Sequence, residues 1–222
     1  MSLRSIILSF ATLLIALNCG EGISELRNGD LIFVGVPAAQ NDAGGKTMDS
    51  AISAAIGKEG QLSFTHVAIA EVSSDGVWII DAAPKRGVSR RSLESFLEEN
   101  ALSDGSLPVF VVKRVTGIDA DAAVERAKGL CGRGYDFCFL PDNDELYCSE
   151  LVQLCYLSER GEPVFESEPM NFLSSDGSVP PYWEKLFKEM GMAIPQGVPG
   201  TNPQRMSESG CLFSVPASLL KK

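Results

Sequence analysis

The segment FTHVAIAEVSSDGVWIIDAAP, residues 64–84, decides the fold because it contains two apolar, β-rich runs that are separated by a short polar stretch. The residues SSDG at 73–76 are typical of a hairpin turn, so the segment predicts two antiparallel strands. If the loop contains these four residues, Val72 lies opposite Val77 and Ala68 lies opposite Asp81. This count fixes which side chains share one face of the sheet.

Further strand and helix patterns lie on both sides of this hairpin. An apolar run at Leu31 to Val34 predicts a strand, and residues 107–115 predict another in which Val109 to Val112 are buried on both faces. Helical spacing and capping residues predict helices within 47–57, 90–100, 119–132, 147–156 and 181–191. Helices that are segregated around one largely antiparallel sheet predict the α+β class.

Length and charge limit the domain organisation and the partners. A chain of 222 residues that is 45% hydrophobic suits one domain with a buried core, which we place at residues 25–222. Its Pro- and Gly-rich tail from Glu162 predicts a covering layer on that core. The net charge of −10 argues against a nucleic-acid partner, because binding to phosphates needs clustered Lys and Arg. The short basic cluster is interpreted as a solvated face; it comprises Lys85, Arg86, Arg90 and Arg91.

The N-terminal residues 1–19 predict a secretory signal peptide. Arg4 precedes an uncharged run at 5–17, which is shorter than the roughly 20 apolar residues of a spanning helix. Cys19 follows the run as the lipid-modified cysteine of a bacterial lipoprotein does, and it is our candidate for lipidation and membrane attachment. We therefore expect an exported protein of the periplasm or cell envelope.

Residue types do not predict a metal site or a cofactor. The chain has one histidine and no close Cys-x-x-Cys pair, so zinc ligands are missing from the pattern. Residues 142–145 resemble part of a calcium loop but lack its Gly and its distant Glu. The glycines at 132 and 134 are not followed by the Lys-Ser/Thr of a phosphate-binding loop.

Two cysteines, Cys148 and Cys155, lie seven residues apart in YCSELVQLCY, residues 147–156. Cys148 falls in the first turn of the predicted helix, where free N–H groups and the helix dipole favour a thiolate. Cys155 lies two turns further along the helix, without that stabilisation. Together with Leu151 and Val152, both cysteines also fit the spacing of a core stripe, so a structural role for Cys148 stays open at this point.

His66, the one histidine of the chain, is the candidate base for such a thiol. Strand alternation places it on the same face as Ala68 and Ala70, whose small side chains leave room over the imidazole ring. The hairpin count puts Asp81 on that face, diagonal to His66 and within reach of a hydrogen bond. Asp81 also follows an apolar run, where an unpaired carboxylate would be costly, so it needs a partner.

Five segments carry a resemblance to a known family: GDLIF at 29–33, FTHVAIAE at 64–71, DGVWIIDAAPKRGV at 75–88, YDFCF at 135–139 and YCSELVQLCY at 147–156. In this order they resemble the YiiX/YebB-like branch of the circularly permuted NlpC-type cysteine hydrolases, which are papain-like. The resemblance implies a permuted papain-like fold. It also implies that Cys148 is the nucleophile, His66 the general base and later acid, and Asp81 the residue that orients the imidazole.

Other residues have weaker expected roles at the site. Tyr135 and Tyr147 are candidates to line it with their hydroxyls, or else they are packing aromatics. The backbone N–H of Cys148 is a natural oxyanion donor, since it lies at a helix N-terminus. Glu150 stabilises the first turn of a helix by its charge alone, and we do not assign it to catalysis.

The expected function is a secreted cysteine hydrolase of the amidase or peptidase type, which acts through a thioester and for which cell-wall peptides are a reasonable substrate class. Two alternatives remain at this stage. An acyltransferase or lipid ester hydrolase would use the same three residues, and a long apolar groove would favour it. A catalytically silent binding module would have an inert, fully buried Cys148.

Overall fold

The structure is a computed structural model that describes residues 26–37, 45–56, 62–102, 105 and 107–216. The predicted signal peptide at 1–19 and its Cys19 lie outside the described residues. Within the described ranges, no helix has the length and apolar character needed to cross a membrane.

An antiparallel sheet of six strands forms the centre of the molecule. Its strands are β1 (Leu31–Pro37), β2 (Leu62–Ser73), β3 (Gly76–Ala83), β4 (Gly87–Ser92), β5 (Val109–Val115) and, from the tail, β8 (Leu212–Val215). Their order across the sheet is β4-β3-β2-β1-β5-β8. Two short strands pair separately, β6 (Glu168–Pro169) and β7 (Pro199–Gly200).

The helices are α1 (Met48–Ile56), α2 (Leu93–Glu99), α3 (Ala120–Gly129), α4 (Cys148–Cys155), α5 (Pro181–Met190) and α6 (Pro203–Ser207). The α+β class and the largely antiparallel sheet with flanking helices that the sequence predicted are therefore confirmed.

The β2–β3 hairpin has the register that the residue count assumed. Val72 pairs with Val77 and Ile69 with Ile80, so only Ser74 and Asp75 lie beyond the last pair of the ladder. On its other side β2 pairs with β1, and their register shifts between Val34 and Gly35. The shift leaves one residue of β2, Thr65, without an opposite residue, which is the geometry of a β-bulge.

Alternation along the strands divides the core into two layers. Leu31 and Phe33 of β1 face a large cluster that includes residues of α1, α3, α4 and α5. Ile32 and Val34 face a smaller cluster to which α2 contributes Phe96. The sheet is thus covered on both faces, with most helices on one of them.

Two sequence-based expectations are wrong in detail. Residues 87–92 form strand β4, where no strand was expected, and the helix predicted within 90–100 begins only at Leu93. Val109 is 43% exposed and Val111 is half-buried, so β5 is not buried on both faces along 109–112. The reason is its position near the edge, because beyond it lies only the four-residue β8, which pairs from Val112 to Val115.

Candidate active site

Cys148 is the first residue of helix α4 and is 6% exposed. The residue before it, Tyr147, has extended backbone angles, and no side chain caps the helix. The first N–H groups of a helix have no intrahelical acceptor, so this N-terminus offers donors and a positive dipole beside the thiol. Leu151, Val152 and Cys155 of the same helix are fully buried, which anchors α4 on the sheet.

His66 lies on β2 next to the bulge at Thr65, and its side chain is 16% exposed. The space over its ring, which the small neighbours were expected to leave, is filled by Phe96 of α2 at 6.3 Å between ring centroids. Its Nε2 lies 2.7 Å from Asp81 Oδ2. Because Nε2 is engaged by Asp81, the remaining ring nitrogen, Nδ1, is the one available to Cys148, whose charge acts on the imidazole.

Asp81 is fully buried, and its Oδ2 serves two cationic groups. Besides His66, the Nη2 of Arg91 donates a hydrogen bond to this oxygen at 2.7 Å. Arg91 is 7% exposed and also lies 3.3 Å from Glu99, measured from Nη1 to Oε2. The expectation that the basic cluster is a solvated face is therefore wrong for Arg91, because a buried carboxylate needs a buried partner.

Arg91 is the site residue that the sequence analysis missed. It lies on β4, opposite Ile79 in the register with β3 and on the same face as Asp81. A signal was present in PKRG at 84–87, a Pro- and Gly-containing turn between two short runs. Counting outward along both strands from that turn would have placed Arg91 on the same face as Asp81 and diagonal to it.

The charges of these groups change the protonation of His66. Burial by itself lowers the pKa of His66, but the negative charge of Cys148 and the hydrogen bonds with Asp81 and Cys148 outweigh it and raise this pKa to about 10. His66 is therefore an imidazolium at neutral pH. An imidazolium beside a thiol favours the thiolate, and such an ion pair activates a cysteine nucleophile.

Cys155 has none of these features. It is fully buried, and burial raises its pKa to about 12, against the weaker opposing effect of the Arg126 charge. In the described part of the chain all five cysteines are free thiols, and Cys148 is the one beside the imidazole. Of the two cysteines in YCSELVQLCY, the structure thus places only Cys148 in a reactive environment.

Cys148 lies where two cavities meet. A groove of about 970 Å³ is lined by His66, Asp81 and a mixture of other charged side chains and apolar ones. A small pocket of about 50 Å³ is lined mainly by apolar residues of α1, α5 and the tail. Cys148 and Tyr135 line both cavities, whereas His66 and Asp81 line only the groove.

The two tyrosines line the site and also have structural contacts. Tyr135 packs edge-on against Phe137, and burial raises its pKa. The Tyr147 hydroxyl accepts a hydrogen bond of 3.1 Å from the backbone N–H of Thr201, so it ties the tail to the start of α4. Tyr147 lines the small pocket but not the groove.

Titration of the imidazole tests the charge arrangement without any substrate. We expect the ring of His66 to titrate near pH 10 in the wild type, since the protonated form is stabilised up to about that pH. In Cys148→Ser the midpoint falls, because the negative charge that raises it is gone. NMR of the imidazole Cε1–H across pH 5–11 measures both, with Cys155→Ser as the matched control that leaves the midpoint in place. A wild-type midpoint at the ordinary value of about 6.5 contradicts the ion pair.

The role of Asp81 can be tested by alkylation of Cys148 with iodoacetamide at pH 7. Asp81→Asn keeps the shape but cannot stabilise an imidazolium as a carboxylate does, so we expect the rate to fall by about 10- to 1,000-fold. This is less than the roughly 10⁴-fold loss of turnover when the Asp of a serine protease triad is changed to Asn. Asp81→Glu retains most of the reactivity. A wild-type rate in Asp81→Asn would make Asp81 purely structural and leave a Cys148 and His66 dyad.

Comparison with known proteins agrees with this arrangement of sheet and helices. The sequence model of a family described as permuted papain-like amidase enzymes, YaeF/YiiX, C92 family, matches residues 25–215. The uncharacterized protein YiiX of Escherichia coli K12 is 30% identical over 118 residues, 51% of this chain; the match spans 57% of YiiX. The crystal structure of the metalloprotein YiiX from E. coli O157:H7 superposes with a TM-score of 0.65 at 23% identity, covering 87% of this chain and 98% of that one. The fold and the match over residues 25–215 show that the chain belongs to the permuted papain-like amidase family of YaeF and YiiX.

Proposed function

We propose that the chain is a cysteine hydrolase of the amidase or peptidase type, with Cys148 as its nucleophile. One observation carries the proposal: the Cys148 thiol, at an uncapped helix N-terminus, lines the same groove as His66, whose Nε2 lies 2.7 Å from Asp81. A nucleophile, a base beside it and a group that orients the base are the residues that acyl transfer through a thioester requires.

In the acylation step the Cys148 thiolate attacks the carbonyl carbon of the substrate. The new S–C bond converts the carbonyl to an oxyanion, which the N–H groups at the start of α4 stabilise. When the oxyanion collapses, the C–N bond breaks and the amine takes the proton of His66 as it leaves. The products of this step are a free amine, a thioester at Cys148 and a neutral imidazole.

In the deacylation step a water molecule replaces the amine in the groove. Neutral His66 accepts a proton from the water as it attacks the thioester, and the C–S bond breaks to restore the Cys148 thiolate. Asp81 stabilises the imidazolium that forms again, with Arg91 holding the carboxylate in place. The cycle therefore begins and ends with the same ion pair.

No step of this reaction is assigned to a metal. The related E. coli structure is described as a metalloprotein. In the described part of this chain no three His, Cys, Asp or Glu side chains form a cluster that could hold a metal ion. His66 has its Nε2 engaged by Asp81, and Cys148 is its neighbour at the groove. The residues present therefore do not fit a metal centre at this site.

The shape of the site favours the hydrolase over the two alternatives. A lipid ester hydrolase was expected to have a long apolar groove, whereas the apolar cavity beside Cys148 measures only about 50 Å³ and the large groove intersperses apolar residues with charged ones. A silent binding module was expected to bury an inert thiol, whereas Cys148 lines both cavities.

Catalysis can be tested with a library of peptidyl and aminoacyl amides of 7-amino-4-methylcoumarin. We expect Cys148→Ala to lower turnover of any cleaved amide by about 10³-fold or more, as loss of the nucleophile does in related mechanisms. Cys155→Ala, a change of the same residue type on the same helix, retains turnover. Mass spectrometry of a quenched reaction should show the acyl group on Cys148. Activity that survives in Cys148→Ala would refute the proposal.

Export to the cell envelope is the second part of the proposal, and it makes cell-wall peptides the candidate substrates. It rests on Arg4, the uncharged run at 5–17 and Cys19 in the sequence. Intact-mass measurement of the protein from its native membranes should show that residues 1–18 are missing, with added lipid mass if Cys19 is the anchor. A mature protein that still begins with Met1 would contradict export by this route.

A further inference from the structure

The position of His66 decides which part of a substrate occupies which cavity. The leaving group must receive its proton from the imidazole, so it lies within hydrogen-bond reach of His66. His66 lines the groove and not the small pocket, while Cys148 lines both. This inference rests on the proposed function. In this geometry the leaving group occupies the groove. The acyl part of the substrate extends to the other side of Cys148, into the small pocket.

The size of the pocket limits the acyl group. Its volume is about 50 Å³, whereas an engineered apolar cavity that accepts benzene measures about 150 Å³. A group of a few aliphatic carbons fills such a space, and an aromatic ring or a long chain does not. Its walls are chemically suited to this group, since they include Ile52, Ala55, Ile56, Met170 and Phe172.

The walls of the pocket have little room to move. Trp183 contacts Phe172 and Phe139 edge-on, at 5.2 and 5.5 Å between ring centroids. Gly200 does not line the pocket but packs against two residues that do, since a Cβ on it would come within 2.7 Å of Met170 Cγ and 2.9 Å of the Tyr147 hydroxyl. A close-packed wall resists expansion, so a larger acyl group would have to displace several side chains.

Three side-chain polar atoms remain without a protein partner in the residues that line the pocket. Ser149 Oγ, Trp183 Nε1 and Thr201 Oγ1 are buried and have no hydrogen-bond partner among the described residues. A buried donor without a partner is costly, and an oxygen acceptor on a bound group would remove that cost for the donor it reaches. These atoms are a second sign that the pocket is built for a ligand and is not a packing defect.

We propose that the small pocket is the acyl subsite of the enzyme and selects a short aliphatic acyl group of about two to four carbons, with space for one oxygen. The larger, polar part of the substrate is then the leaving group in the groove. The enzyme releases a short acyl group, or the acyl side of a small aliphatic residue, from a polar amine.

Acylation by p-nitrophenyl esters from acetyl to decanoyl tests this subsite, since the leaving group is constant and only the acyl length changes. The Cys148 sulfur forms a bond to the acyl carbon, the ester C–O bond breaks and p-nitrophenolate leaves. The burst of p-nitrophenolate gives the acylation rate after the background release by Cys148→Ala is subtracted. Peptide mapping then confirms which cysteine is modified. We expect the rate to rise about fourfold per carbon up to butyryl. From butyryl to octanoyl it should fall by about tenfold or more.

A pair of matched variants locates the selectivity in the pocket. Ile56 is a partly exposed residue of α1 that lines the small pocket but not the groove. Ile56→Ala removes three carbons from the wall, so the optimum should move to acyl chains longer by about two carbons. Ile118→Ala truncates an equally half-buried isoleucine that lines neither cavity, and the optimum should remain unchanged.

Each result separates this inference from the proposed function. If no ester acylates Cys148, both are wrong. If Cys148 is acylated at rates that do not depend on chain length, or that rise through decanoyl, the hydrolase proposal stands and the acyl subsite is refuted. The subsite is also refuted if Ile56→Ala and Ile118→Ala give the same length profile as the wild type.

A 3-hydroxybutyryl ester tests the position of the oxygen. If this ester reacts faster than the butyryl ester and the difference is lost in Ser149→Ala, the oxygen is assigned to Ser149.

Discussion

The shared hydrogen bonding of Asp81 Oδ2 is the interaction on which the site depends. His66 from β2 and Arg91 from β4 both bind this one buried oxygen, each at 2.7 Å. A carboxylate with no exposed surface would be strongly destabilising without such partners. The pairing therefore joins three neighbouring strands of the sheet and also holds the imidazole in the orientation that leaves Nδ1 free for Cys148. Stability of this part of the sheet and reactivity of the thiol rest on the same oxygen.

Arg91, Asp81, His66 and Cys148 form a row of four side chains. When Cys148 is a thiolate, each charge in this row is adjacent to one of opposite sign, so a site with low exposure holds ionised groups whose charges cancel within the row. The row explains why the pKa of His66 rises to about 10 although burial alone would lower it. It ends at the start of α4, where the helix dipole stabilises the final negative charge.

Local patterns in the sequence were sufficient to place His66 and Asp81, because strand alternation and a short turn fix the relative positions of residues within one hairpin. The helix that begins at Cys148 was likewise predicted from its own spacing. Arg91 was missed because VSRR at 88–91 has no apolar alternation, and its strand is recognisable only through pairing with β3. The bond from Thr201 to Tyr147 joins residues 54 positions apart, and no local pattern predicts such a contact.

In the proposed reaction the alternating row also determines when His66 gives up its proton. While Cys148 is a thiolate, its charge is the strongest influence that holds the proton on the imidazole. Formation of the acyl–sulfur bond removes that charge and leaves Arg91, Asp81 and His66 with an excess of positive charge, so the pKa of His66 falls. The proton then passes to the departing amine, and the imidazole becomes a base for water. The chemistry at Cys148 thus switches its partner from acid to base through the change of charge at the sulfur.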